Sequence, residues 1–295
     1  MIKRLIIFCI LIWASSAWGG TAYYVECGGS GTDSGTFANP FTSLTSANAQ
    51  AYSTGDDLYF KSGSTCTLSS SETEEKLEID WSGSSGDVSY IGCYDGDGDF
   101  DCTGSTKPIF QGTLSVDVDN DQDDTEVGDS QGYPDGVYVG VIHLDVSSGI
   151  YEYITVQDLD IQDSGCFGIL IDNTGLNTNH ITIQRNNIER FDSGAIVLIR
   201  TNNSTVTNNT VIDGPIMSHS AASISISGNA VADGDGAYSN TVSYNTVEQC
   251  RECVNLWNRT RDNIIEYNVI RDPHDMGIYA SESKNNIYRY NLIYY

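Results

Sequence analysis

Two short stretches near the C-terminal end carry residue types that could do chemistry. In "RDPHD", Arg271 to Asp275, a histidine stands between two carboxylates and leads into Tyr279. Imidazole changes charge close to neutral pH, and a neighbouring aspartate can fix its tautomer, so His274 with Asp275 is a candidate general acid or base. The same residues also read as a turn, because Asp-Pro is a common turn starter. In "NLWNR", Asn255, Trp257 and Arg259 alternate, so a strand would present all three on one side. Together with Tyr279 and Arg200 they offer aromatic surface for a sugar ring, amide hydrogen bonds, and guanidinium groups that could clamp a uronate carboxylate. The alternative is that a further loop covers the strip and its aromatic residues are packing. The candidate catalytic set is therefore His274, Asp275 and Arg259, and the candidate substrate-binding set is Asn255, Trp257, Tyr279 and Arg200.

Two acidic runs are candidate cation sites. "DGDGDFD" places Asp95, Asp97, Asp99 and Asp101 at alternate positions, and "DVDNDQDD" runs from Asp117 to Asp124. Alternating carboxylates can converge oxygen ligands on Ca2+, although neither run keeps the glycine and terminal glutamate of an EF-hand loop. The first run is bracketed by Cys93 and Cys102, which as a disulfide would hold it closed; both runs also read as solvated acidic loops.

Chemistry of this kind must be positioned by a scaffold, and the composition bounds which one. The chain of 295 residues has a net charge of -26, with 23 acidic and 3 basic residues between Tyr23 and Ile150 but 17 and 9 from Tyr151 onward. Such a surface repels nucleic acid and anionic membranes, so neither is an expected partner. The opening "MIKRLIIFCILIWASSAWGGTA" has two basic residues, an apolar run too short to span a bilayer, and then small residues. It reads as a secretory signal peptide over residues 1–22, with no membrane span, and predicts an extracellular or periplasmic location. Export permits disulfides. Cys93 with Cys102 and Cys27 with Cys66 are the expected pairs, Cys250 and Cys253 form a structural CxxC inside a strand repeat, and Cys166 is left over.

"NTVSYNTV", "NIIEYNVI" and "NIYRYNLI" begin at Asn240, Asn263 and Asn286, one every 23 residues. Extending the register backward gives Leu159, Asn186, Asn209, Asn245, Asn268 and Asn291, with insertions in two of the steps. A period in the twenties with β-branched residues and no helical or leucine-rich pattern predicts a solenoid of short strands, a parallel β-helix. Apolar columns flank the asparagine: Val156, Ile183, Val206, Val242 and Ile265 before it, and Ile161, Ile188, Val211, Val247, Ile270 and Ile293 after it. Stacked coils would place each asparagine above its copy, forming a buried ladder. On a further strand of each coil, alternation predicts Ile169 and Ile171, Val197 and Ile199, Ile224 and Ile226, Val254 and Leu256, and Ile278 and Ala280 inward. Leu170, Ile196, Leu198, Arg200, Ser225, Ser227, Asn255, Trp257, Arg259 and Tyr279 then face outward.

"AYYVECGGSGTDSGTFANPFTSL" with "TGDDLYFKSGSTC", and the coils quoted above with "CVNLWN", resemble the pectate-lyase-like right-handed parallel β-helix superfamily over nearly all the mature chain. The resemblance implies an all-β right-handed solenoid: a cap and irregular coils over residues 23–150, and regular coils over 151–295 with more expected beyond Tyr295. "RDPHD" resembles the Asp-Pro-His motif of alginate C5-epimerases, in a different phase of the coil. "YASESKNNIYRYN" resembles the coil that carries the lysine of β-helix alginate lyases, with Glu282 where that lysine would stand and Lys284 two residues on. Polygalacturonase-type strings are absent. The expectation is a secreted protein acting on a uronate-containing extracellular polysaccharide by lyase or epimerase chemistry, with Ca2+ as a candidate cofactor; the alternative is a non-catalytic adhesion or polysaccharide-binding β-helix.

Overall fold

The computed structural model describes residues 19–68, 76–96, 100, 102, 106–112, 140–145, 150–164, 167–172, 178–191, 193–214, 222–228 and 236–295. Every pairing between its strands is parallel, and each strand pairs with its equivalent one coil away, which makes the molecule a right-handed parallel β-helix with three faces.

The first face stacks Ala22–Val25, Asp57–Lys61, Ser89–Tyr94, Glu152–Gln157, Thr178–Gln184, Thr205–Thr207, Thr241–Ser243, Ile264–Glu266 and Ile287–Arg289. The second contains Thr65–Thr67, Ile109–Gln111, Asp160–Ser164, Asn187–Phe191 and Thr210–Ile212, and continues into the first halves of two long strands, Thr246–Trp257 and Val269–Ala280, then Leu292–Tyr294. The third contains Leu77–Glu78, Gly140–Asp145, Phe167–Asp172, Gly194–Ile199 and Ala222–Ser227, and ends on the second halves of those long strands. One short helix among the described residues, Leu44–Asn48, turns Leu44 and Ala47 into the core near the first coil.

The two expected apolar columns point inward through Ile270: Val156, Ile183, Val206, Val242 and Ile265, and Ile161, Ile188, Val211, Val247 and Ile270, are no more than 1 % exposed, whereas Ile293 in the last coil is 43 % exposed. Corners are turned by left-handed residues. Asp158, Arg185, Asn208, Tyr244, Tyr267 and Tyr290 all have φ between 56° and 58° and immediately precede the register residue. Few non-glycine residues adopt this conformation, because Cβ crowds the following carbonyl. The ladder inside offsets that cost. Asn209 Oδ1 accepts from both N and Nδ2 of Asn186, at 3.0 and 3.1 Å, while Asn186 Nδ2 also donates to the Val156 carbonyl at 3.0 Å. The pattern repeats through Asn245 and Asn268 to Asn291.

A second ladder runs parallel to the first. Ser204, Asn240, Asn263 and Asn286 follow the left-handed residues Asn203, Ser239, Asp262 and Asn285, and the N–H of each of the first three donates to the next Oδ1 at 2.8–3.0 Å. The asparagine that opens each "NxxxxN" unit is thus as structural as the one that closes it.

Among the described residues three disulfides pin the coils: Cys27–Cys66, Cys93–Cys102 and Cys250–Cys253. Phe100, inside the loop closed by Cys93 and Cys102, stacks on Tyr59 at 4.2 Å. Cys166, Asp97, Asp99, Asp101, the run Asp117–Asp124 and the N-terminal signal segment through Trp18 lie outside the described residues.

On the third face the expected phase fails in one coil. Ile169 pairs with Ile196 and Ile171 with Leu198, so Ile196 and Leu198 are the core residues, both 0 % exposed. Val197 and Ile199 instead lie outside, against Leu170 and Phe167. "GAIVLI" is apolar on both sides, so alternation alone cannot set its register.

Candidate functional site

The outer surface of the third face carries one continuous row, one residue per coil: His143, Leu170, Val197, Ser225, Asn255 and Tyr279. Its character changes along the axis. Leu170 and Val197 are buried with Phe167 in a small apolar cluster outside the solenoid. From Ser225 onward the row is polar. The next outward row runs Ile199, Ser227, Trp257, and the Trp257 ring is 42 % exposed. Trp257 and Tyr279 make no ring-to-ring contact: Asn255 is the in-register neighbour of Tyr279, and Trp257 stands two residues further along its own strand.

At the start of the row His143 is buried and lies 3.1 Å through Nδ1 from Lys76 Nζ, which is also 3.1 Å from Glu78. Nothing in the local pattern joins residues 67 apart; the pairing of Leu77–Glu78 with Gly140–Asp145 does so.

At the polar end the corner between the second and third faces is tight. Cys250 and Cys253, both fully buried, bridge its base. The pairing with the next coil is interrupted between Cys250, opposite Pro273, and Glu252, opposite Met276. Such a bulge re-aims side chains, and here Arg251 and Glu252 emerge beside Asn255. Asn255 Nδ2 donates to Glu252 Oε2 at 2.5 Å. Arg251 lies 3.6 Å from Asp275 on the neighbouring coil. Burial raises the Glu252 carboxyl above its ordinary value; the Asn255 hydrogen bond and the Arg251 charge pull it down, and the Asp275 charge pushes it up. Asn255 is 5 % exposed, and its Oδ1 is buried without a hydrogen-bond partner.

The residues singled out from the sequence are divided by this geometry. Asn255, Tyr279, Trp257 and Asp275 lie on or beside the polar end of the third face. His274 is exposed on the same corner, between buried Pro273 and Asp275, and makes no hydrogen bond or ion pair among the described residues. Arg259 is a left-handed corner residue with φ 62°, half-buried, whose N–H donates to Glu282 O on the following coil. Arg200 departs from its expected outward position: it is a corner residue with φ 51°, 6 % exposed, hydrogen-bonded through its N–H to Ser227 O. The same one-residue slip that misplaced Val197 and Ile199 put it on the outer row. Of the aspartates in the first acidic run only Asp95 is among the described residues, and no group of three or more metal-ligating side chains gathers among those residues. Arg251 and Glu252 were hidden in the sequence by their position inside a CxxC read as structural.

A cavity of about 150 Å³ on the second face, lined by Asp160, Asn187, Glu189 and Thr210, is separate from this site. Its nearby ammonium, Lys107, is committed to Arg185 O and Asn187 Oδ1, as expected of a structural contact.

The fold has solved counterparts. An alginate lyase from a Paenibacillus species superposes with a TM-score of 0.55 at 13% identity, covering 83% of this chain and 72% of that one. A lacto-N-biosidase from Eubacterium ramulus superposes with a TM-score of 0.52 at 17% identity, covering 92% of this chain and 55% of that one. At these identities the likeness is one of fold. No curated protein matches the sequence. The family model described as a right handed beta helix region matches residues 136–295. Because that match takes in all the regular coils and more than half of the chain, the protein belongs to the right-handed β-helix family.

Proposed function

We propose that the protein is secreted and acts on an extracellular, uronate-containing polysaccharide at the polar end of the third face, by lyase or epimerase chemistry. The observation that carries this reading is one surface combining an exposed aromatic ring, Trp257, with a buried amide of unspent capacity, Asn255, and charged groups, Arg251, Glu252 and Asp275. Sugars are recognised in this way, by an aromatic face for the ring and fixed polar groups for its hydroxyls. Among the described residues no helix is long and apolar enough to cross a membrane, and three disulfides are formed; both fit the expected export.

Both reactions begin with loss of the proton α to the uronate carboxylate, at C5. That step needs the carboxylate neutralised, for which Arg251 and Arg259 are the candidate guanidinium groups, and a base, for which exposed His274 is the candidate. Ca2+ is kept as a candidate cofactor of the Asp95–Asp101 run, which begins several coils nearer the N-terminus, where it would brace that loop and not touch the reacting carboxylate. In a lyase the C5–H electrons form the C4=C5 bond as the C4–O4 bond breaks. In an epimerase the proton returns to the opposite side.

The test is to incubate the protein with alginate, pectate and glycosaminoglycans, with and without Ca2+. Elimination is followed by the ultraviolet absorbance of the unsaturated product, and epimerisation by deuterium uptake at C5. Turnover with one of these is expected. Trp257→Ala is expected to weaken binding of the responsive oligosaccharide by about tenfold, the equivalent of ~1.4 kcal/mol, whereas Tyr244→Ala, on a different corner, leaves it unchanged. Binding without turnover under all conditions would select the adhesion or binding class, and neither binding nor turnover would overturn the polysaccharide reading.

A further inference from the structure

The geometry points to Glu252 as the proton donor to the glycosidic oxygen that leaves during chain cleavage, with Asn255 as the residue that positions it; this inference rests on the polysaccharide reading above. Three features converge on these two side chains. The Cys250–Cys253 bridge and the bulge on the facing strand, where His274 and Asp275 oppose Arg251 alone, fix the corner from which Glu252 emerges. Glu252 Oε2 accepts from Asn255 Nδ2 at 2.5 Å, within reach of the row that ends on Tyr279. Asn255 Oδ1 is buried and has no partner. A half-turn of the amide exchanges its two ends. In that second orientation a protonated Glu252 would donate to Oδ1, and Nδ2 would be the unspent group. Either way a nearly buried amide retains one polar atom that a structural role leaves unsatisfied, at a cost of the desolvation of that atom. A hydroxyl-bearing ligand lying across Asn255 completes it.

The charged groups that face Glu252 are Arg251 on its own strand and Asp275 on the next coil, with His274 preceding Asp275 on the same corner. Half-burial favours the neutral carboxyl, so Glu252 keeps its proton at a higher pH than an exposed glutamate. In the cleavage step a base takes the C5 proton, the C5–H electrons form C4=C5, and the C4–O4 bond breaks toward oxygen. The Glu252 O–H proton passes to that oxygen, which departs as a hydroxyl on the neighbouring sugar. The carboxylate left behind regains a proton from solvent. No water, oxidant or reductant is consumed. Because an epimerase breaks no glycosidic bond, the assignment applies to the lyase branch of the reading above.

The test compares wild type, Glu252→Gln and Asn255→Ala on the polysaccharide that turns over. Glu252→Gln should lower kcat by about a hundredfold or more, the usual range for a lost general acid, with oligosaccharide Kd unchanged and the alkaline limb of the kcat/KM profile flattened. In the orientation the structure shows, with Nδ2 donating to Glu252, Asn255→Ala removes a hydrogen bond that favours the ionised carboxylate and should move the alkaline limb to higher pH; a move to lower pH would mean that the amide is turned and holds the protonated acid. Carboxyl-13C NMR should show one glutamate titrating above the ordinary range in wild type and missing from Glu252→Gln. If Glu252→Gln keeps wild-type kcat, or if Glu252 titrates in the ordinary range, the donor role is overturned while the polysaccharide reading stands. A wild-type protein that binds a polysaccharide but cleaves none overturns the donor role and leaves the binding class, and one that neither binds nor turns over any overturns both.

Discussion

Asn245 spends its whole side chain on the solenoid. Its Oδ1 accepts from N and Nδ2 of Asn209, and its Nδ2 donates to Val206 O and to Asn268 Oδ1, all at 3.0 Å. Asn245→Ala would strand two buried donors of Asn209 and one carbonyl, so a loss of roughly 2–4 kcal/mol is expected, read from the urea midpoint. The same change at half-buried Asn291 should cost clearly less, because the groups it leaves unpaired are nearer to water. At this scale periodicity made the ladder legible: an amide recurring every 23 residues between apolar columns is what stacked coils require of a corner. The second ladder shows the same period in Asn240, Asn263 and Asn286, but its earlier rung is Ser204, so the amide column fades sooner toward the N-terminus. Glu252 was not legible. Its significance depends on Asn255 and Asp275, and the bulge that brings it beside them breaks the period on which sequence reading relies.

Individual strands show where the code of alternation fails. "CVNLW" places Val254 and Leu256 inward and Asn255 outward as alternation predicts, because its two sides differ in polarity. "GAIVLI" does not, because Phe167 and Leu170 give Val197 and Ile199 an apolar environment on the outside as well. The displacement of Arg200 follows from that slip. The disulfides were legible from spacing and export, and they differ in the work they do. Cys27–Cys66 closes a separation of 39 residues and Cys250–Cys253 one of 3. In the chain-entropy account, replacing the first pair by alanines should cost about 4 kcal/mol and the second about 2 kcal/mol. Equilibrium unfolding of the two double variants tests the order. A larger loss from Cys250 and Cys253 would mean that the bridge stabilises the folded corner itself rather than restricting the unfolded chain.

The whole molecule is an acidic rod, and its field decides how a polyanion reaches it. With a net charge of -26, the protein should repel polyuronate at distances beyond the Debye length, which shortens from about 30 Å at 0.01 M salt to about 8 Å at 0.15 M. Association with the oligosaccharide that responds in the turnover test is therefore expected to quicken as NaCl rises over that range, opposite to the behaviour of a basic polyanion binder; stopped-flow measurement of kon at several salt concentrations checks the sign. The fold has a further consequence at this scale. Each ladder amide bonds only to the coil before it and the coil after it. Nothing in such an arrangement counts the coils. An in-frame duplication or loss of one coil's worth of codons would leave every junction with the same partners, and would lengthen or shorten the outer surface by one strand spacing, about 4.8 Å. The length of the outer surface can thus change in inheritable whole steps, while the corner at Cys250–Cys253 is carried along intact.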